Sequence, residues 1–390
     1  MPFFQFNQYS APLLIGFVQG IVFAGLLWRR ARRNDRLSDR LMAGLLLLCS
    51  AHIAQYMLGF GGWYDAHDTR STFMFYFPFH NYLLLGPTLY FYFLSLTNHS
   101  FRFHRKDILH FIPGLLWVGL FTAGFLYDVV FRHWIMGEVL PDFFQTRGVI
   151  GVFMQGTIRD IFNVLGFISF YAYLIFTVRL YRRYQEYIID HFSDTEPIRH
   201  NWLRNVLYTL ISGLTVLWIF QVLSVFVDFS YVQFWNSHLV VAIMIYVVAV
   251  SAYISTGQIL PQLAFEPDST TPPAPEPETT AELSHWTSKL EAWMATEKPY
   301  LNPNLTLSEL ARQLQTNTSV LSRVINQGFQ QNFNDFINSY RVEAVKERLE
   351  RGDHLQLTLL SIALDCGFNS KATFNRAFKK FTGKSPREMT

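Results

Sequence analysis

Apolar residues run along the first two thirds of the chain in seven stretches, at about 11–28, 41–60, 72–96, 108–131, 158–178, 203–227 and 236–256. Each is near or above the roughly 20 residues that a helix needs to cross a bilayer. Beyond residue 281 the pattern changes. Apolar positions recur every three or four residues with polar ones between them, as in amphipathic helices of a soluble domain. The expected fold class is all-α, a seven-helix transmembrane bundle followed by a soluble helical domain. MPFFQFNQYSAPLL before and within the first stretch is uncharged, and RRARR follows that stretch. This is the reverse of a secretory leader, so the stretch reads as a retained first helix.

Charge sets the orientation. The first, third and fifth loops contain fourteen Lys or Arg, among them Arg29, Arg30, Arg32, Arg33, Arg102, Arg105, Arg182 and Arg183, whereas the opposite loops contain only Arg70, Arg132, Arg147 and Arg159. Basic loops stay in the cytoplasm, so the N-terminus is expected outside and, after seven crossings, the C-terminus inside. The predicted division is a membrane domain over 1–260, a linker over 261–281 and a soluble domain over 282–390. The linker, PQLAFEPDSTTPPAPEPETTA, is rich in Pro, Thr and Glu and is expected to be extended. At about 3.1 Å per residue it would reach up to roughly 60 Å. The expected location is the bacterial inner membrane, with the soluble domain in the cytoplasm.

Composition agrees. The chain is 50% hydrophobic and only 16% charged, against about 25% in an ordinary soluble protein. Its two cysteines, Cys49 and Cys366, have no CxxC neighbour and no metal-ligand spacing, so both read as buried thiols. At membrane depth, His52 and Gln55 share a face of the second stretch, and His80 and Asn81 lie in the third between Pro78 and Gly86-Pro87. Two readings stand for these four residues: a ligand or sensor pocket inside the bundle, or interhelical hydrogen bonds that hold it together. No catalytic residue, metal set or cofactor is predicted. HExxH, GxSxG and nucleotide-binding loops are all missing, so a non-enzyme is expected.

In the soluble domain, Leu283, Trp286, Leu290, Trp293 and Met294 predict an amphipathic helix that packs on the domain or pairs with a second protomer. Thr306-Leu-Ser-Glu309 reads as a capping box opening a helix with Leu307, Leu310, Ala311 and Leu314 inside. A second helix follows from about Thr318 to Asn326, and a long one from Phe333 to about Arg351. The pattern then repeats with a short helix ending at Cys366-Gly367, another from Lys371 to Thr382, and Ser385-Pro386 opening a last turn. These are two helix-turn-helix units, at about 306–328 and 358–382.

The stretches SELARQLQTNTSVLSRVINQ, SYRVEAVKERL and SIALDCGFNSKATFNRAFKKFTGKSP together resemble the AraC/XylS-type DNA-binding domain over nearly all of 302–390. Ile325-Asn326, where the wider family often has Phe and a basic residue, resembles the membrane-tethered subgroup. The resemblance implies two recognition helices entering successive major grooves of double-stranded DNA, about 34 Å apart. Ser319, Ser322 and Arg323 would face the first groove, and Lys371, Ala372, Asn375 and Arg376 the second. Arg reads guanine and Asn reads adenine in a bidentate manner. Lys379, Lys380 and Lys384 would hold phosphates, and six Lys or Arg against Glu388 alone from Gly367 onward suit that role. An internal salt bridge is the alternative for Arg323 and Arg376. The family's sugar-binding effector domain has no counterpart in the N-terminal half, which holds no β-rich sequence.

The expectation is therefore a membrane-embedded, sequence-specific transcription regulator that couples a membrane or extracytoplasmic signal to transcription. Expected partners are DNA, the lipid bilayer and an unidentified small-molecule or membrane signal, with a homodimer favoured by the affinity that paired modules gain. Two alternatives are a membrane enzyme or transporter with a regulatory DNA-binding tail, and a passive membrane anchor on a constitutive regulator.

Overall fold

The computed structural model describes residues 2–98, 101–196, 198, 201–224, 226–255, 265 and 280–389. Residues 261–264 and 266–279 of the predicted linker lie outside the described residues, and its last two, Thr280 and Ala281, already belong to a helix. Two isolated β-bridges aside, all regular structure among the described residues is helical. The chain forms two compact units, Met1–Arg179 with Asn201–Ala264, and Leu180–His200 with Phe265–Thr390.

In the first unit, α1 (Ser10–Asn34), α2 (Leu37–Phe60), α8 (Asn201–Leu223) and α9 (Tyr231–Ser255) are each long and apolar enough to cross a bilayer, as is α7 (Thr157–His191), whose last residues from Leu180 onward belong to the second unit. So is the segment Asp107–Ile135, which holds α5 (Ile112–Phe125) and continues as wide π-type turns. The third predicted stretch differs. It is split into α3 (Thr69–Tyr76) and α4 (Tyr82–Thr97), and residues 77–81 between them are unwound. The break follows from Pro78, which lacks an N–H and disfavours the helical conformation of the residue before it. Pro87, by contrast, is accommodated inside α4. Six helices are thus long and apolar enough to span on their own, and α4 is a shorter apolar one. A short α6 (Val149–Gln155) precedes α7.

Small residues let α1 approach its neighbours. A Cβ on Gly16 would sit 2.7 Å from that of Ala242 on α9, and one on Gly20 would sit 2.1 Å from Ser50 Oγ on α2. This is the close backbone packing that small-xxx-small spacing permits in membranes. At the end of α1, Arg30 grips the fully buried Asp39 at 2.7 Å and donates to the Tyr253 carbonyl at 2.7 Å. One of the loop arginines counted for orientation therefore also ties three helices together.

In the second unit, α10 (Thr280–Thr296) lays Leu290 and Met294 into the core formed by α11 (Leu307–Gln313), α12 (Thr318–Arg323) and the start of α13 (Phe333–Glu350). Packing on the domain is thus the role α10 takes in this chain. The rest of α13, with α14 (Leu359–Asp365) and α15 (Lys371–Thr382), encloses a second core around Val345, Ile362, Phe374 and Phe378. Thr306 caps α11 by accepting from the Glu309 N–H at 3.2 Å. Only this half of the capping box forms. The Glu309 carboxylate faces Asn302 Nδ2 at 3.4 Å, and the Thr306 backbone pairs with Phe192 in an antiparallel bridge.

Gly367 turns the chain between α14 and α15 at φ +92°, where a Cβ would lie 2.3 Å from the Tyr300 carbonyl oxygen. Both the left-handed conformation and the contact require glycine. Gly367→Ala should cost about 2–3 kcal/mol of the stability of this unit, measured by denaturant unfolding of the full-length protein in detergent. An unchanged midpoint would contradict the steric argument.

Candidate nucleic-acid interface and membrane cluster

The recognition surface of α15 follows from its helical period. Thr373, Phe374, Ala377 and Phe378 are buried, so Lys371, Ala372, Asn375, Arg376, Lys379 and Lys380 share the opposite, exposed face. Ser370 starts this helix by accepting from the Thr373 N–H at 3.2 Å, and Gly383 ends it in the left-handed conformation. Lys371, Asn375 and Lys379 line a groove of about 590 Å³ together with Arg387. Lys384 is exposed just beyond. Lys380 places Nζ 2.6 Å from Asp335 on α13, so it contributes to packing between those helices as well as to the basic face. In the first helix-turn-helix, Asn317 caps α12 by accepting from the Val320 N–H at 2.8 Å. Ser319, Ser322 and Arg323 are half-buried on it, and Ser322 Oγ accepts from Asn326 Nδ2 at 3.3 Å.

What fixes the two helix-turn-helix units to each other is Arg341, on the connecting helix α13. Its side chain is fully buried. It donates to the Tyr300 carbonyl at 2.8 Å, the Asn302 carbonyl at 2.8 Å and Asn338 Oδ1 at 3.3 Å, and its guanidinium lies 5.9 Å from the centre of the Phe368 ring. Burial pushes its pKa down to about 10, so the group stays a cation at neutral pH. No described carboxylate forms an ion pair with it, and neutral oxygens take its protons instead.

A segment from outside the predicted soluble domain occupies this same region. Ser193 donates from its N–H to the Leu305 carbonyl at 3.1 Å, and its Oγ accepts from Arg341 Nη2 at 3.1 Å. Asn334 Nδ2 donates to the Ser193 carbonyl at 2.8 Å. Asn369 donates to the Asp194 carboxylate at 2.9 Å, and Arg376 is ion-paired with Glu196. Ser193 and Thr195 are buried by these contacts. Arg376, the side chain expected to read guanine, thus has a carboxylate on it in this structure.

Comparison with known proteins addresses this half of the chain. Residues 310–390 match the family of the helix-turn-helix domain. Curated relatives include an uncharacterized HTH-type transcriptional regulator from Staphylococcus aureus strain COL and its counterpart from strain N315, each 35% identical over 89 residues. That match covers 23% of this chain and 12% of each relative, so the chain spans only a small part of the length of the relatives it matches. No solved structure matches. The C-terminal domain is a helix-turn-helix domain of the AraC type.

A helix-turn-helix domain of this type implies DNA binding. The remaining candidates lie in the first unit, among helices long and apolar enough to cross a bilayer. His52 and His80 come together, with ring centres 4.3 Å apart. Gln55 and Asn81 are engaged elsewhere: Gln55 donates to Tyr64 Oη at 2.9 Å and Asn81 to the Gly114 carbonyl at 3.0 Å. The third member of the cluster is His238 on α9, stacked 5.0 Å from His52. Sequence reading missed it because it follows the polar Asn236-Ser237 at the entry to an apolar run, where a polar residue needs no special explanation. Arg341 and Glu196 were equally silent, the first as one cation in a charged helix, the second as part of a loop.

If Arg341 organises the AraC-type domain, Arg341→Ala should cost at least about 2 kcal/mol by orphaning the buried Tyr300 carbonyl and leaving a cavity where the guanidinium sat. Arg351→Ala, which removes an exposed pair on the same helix, should cost less than about 1 kcal/mol. Chemical denaturation of the two full-length variants separates them, and equal losses would sink this role for Arg341.

Proposed function

We propose that the chain is a membrane-embedded, sequence-specific transcription regulator whose AraC-type domain is held in a docked state by residues 192–196 and released when the membrane unit receives its signal. The observation that carries this reading is the Glu196–Arg376 ion pair together with the hydrogen bonds that Ser193 and Asp194 accept from Arg341 and Asn369. The docked segment follows α7 directly in the chain, and α7 is among the helices long and apolar enough to span. A change in that helix therefore has a covalent route to the segment that covers a base-reading residue.

The topology that suits this function places the N-terminus outside and the AraC-type domain in the cytoplasm. It needs seven crossings, with α3, the unwound residues 77–81 and α4 serving together as one broken span. Broken helices are tolerated at membrane depth where protein or a polar cavity satisfies the freed backbone groups. The basic first, third and fifth loops favour the same orientation. DNA readout is assigned to Arg376, Asn375, Lys371 and Ala372 on α15, and to Ser319, Ser322 and Arg323 on α12. Lys379, Lys380 and Lys384 are assigned to phosphates. Two copies on adjacent half-sites would gain affinity through effective concentration.

The test is to map the full-length protein on its genome by crosslinking and sequencing, beside an Arg323→Ala/Arg376→Ala variant. Discrete sites that vanish in the variant are expected. In vitro, Arg376→Ala should cost about 1–3 kcal/mol at the cognate site and less on random DNA. Equal losses on both would leave only a phosphate contact, and sites that persist in the double variant would overturn the assignment of these helices.

A further inference from the structure

We propose that His52, His80 and His238 form a binding site for a divalent transition-metal ion of the zinc class inside the membrane unit. The site is independent of the DNA-binding reading and would stand without it. One ring nitrogen from each histidine lies within 4.8 Å of one from each of the others. Some point is therefore within about 2.8 Å of all three nitrogens, and a closure of roughly 0.7 Å per ligand reaches zinc–imidazole distances of 2.0–2.1 Å. Small rotations of the rings are enough to supply that.

The hydrogen bonding leaves the ligand atoms ready. The Nε2 atoms of all three residues are buried and have no hydrogen-bond partner. Such atoms are rare, and each needs an explanation. For His238 the tautomer follows from chemistry. Its Nδ1 faces the Phe234 carbonyl at 3.0 Å, which can only accept, so Nδ1 carries the proton and Nε2 holds a lone pair. His52 Nδ1 meets the Tyr82 hydroxyl at 3.4 Å, the kind of outer contact that orients a metal-bound imidazole. Tyr56 stacks on His238 with ring centres 3.7 Å apart, closing that side of the site.

The backbone places the ligands as a site would. His52 is on α2 and His238 on α9, both rigid, whereas His80 is in the unwound residues between α3 and α4. Interrupted helices at membrane depth are where ion and substrate sites are built in membrane proteins. His80 also lines a cavity of about 200 Å³ shared with Gln55, Asn163 and the Arg159–Asp160 pair, so an ion has polar surroundings and a place for a fourth ligand such as water. Three neutral imidazoles without a carboxylate favour zinc, copper, nickel or cobalt over magnesium or calcium.

The experiment uses untagged full-length protein in lipid nanodiscs, stripped with chelator and dialysed separately against zinc, copper(II), nickel(II) and cobalt(II). Wild-type protein should retain about one zinc or cobalt ion per chain, and the cobalt form should show the visible absorption of a four-coordinate site of three imidazoles and one water. His52→Gln and His238→Gln should each weaken binding by at least about 10-fold, while His110→Gln, an exposed histidine bonded to Tyr173, should leave it unchanged. Two results would overturn the site: wild-type protein that gives no cobalt spectrum, or one that retains no more metal than the His52→Gln/His80→Gln/His238→Gln variant. The wild-type spectrum decides the question even if a variant fails to fold.

Discussion

The buried guanidinium of Arg341 is the constraint on which the DNA-binding half depends. A fully buried cation without an ion-paired carboxylate among the described residues is costly unless its N–H groups are all directed at oxygen. Here those oxygens come from the chain before α11, from α13 itself and from Ser193, and the ring of Phe368 lies against the guanidinium. Satisfying one side chain therefore fixes the path into the first helix-turn-helix unit and the turn that opens the second.

The same hub explains why the loop segment can serve as a latch. Ser193 supplies one of the acceptors that the buried cation needs, so docking is coupled to the packing of the domain and not only to its surface. At the rim of the contact, Glu196 meets Arg376, which is exposed and faces outward. Exposed ion pairs contribute little, roughly 0–1 kcal/mol. The ion pair is therefore the weak edge of the latch, and the hydrogen bonds between Ser193 and the buried Arg341 are its firmer part. A shift the size of the ion pair moves a two-state equilibrium a few-fold, the scale on which regulation needs only a modest bias.

Local chemistry was legible in the sequence. Thr306, Gly367, Gly383 and Ser385-Pro386 marked helix ends because caps and left-handed turns restrict residue type within three or four positions. Apolar spacing placed α10 to α15 within a few residues, and run length placed the membrane helices. Non-local features were not legible. Pro78 could be seen, but whether it bends or breaks a helix depends on what satisfies the freed backbone groups around it. The Glu309 half of the capping box did not form, and the Glu309 carboxylate faces Asn302 instead. His238 joined His52 and His80 only because α9 packs beside α2. Glu196 reached Arg376 from a loop whose sequence gives no sign of its partner.

The central claim is that residues 192–196 hold the DNA reader back. It is tested most directly by the affinity of the full-length protein in nanodiscs for one of its mapped operator sites, comparing wild type with Asp194→Ala/Glu196→Ala. The account predicts that the variant binds roughly 5-fold more tightly, the worth of about 1 kcal/mol of lost docking. An affinity that is unchanged or weaker would contradict it, because the segment would then be part of the folded reader and not a restraint on it.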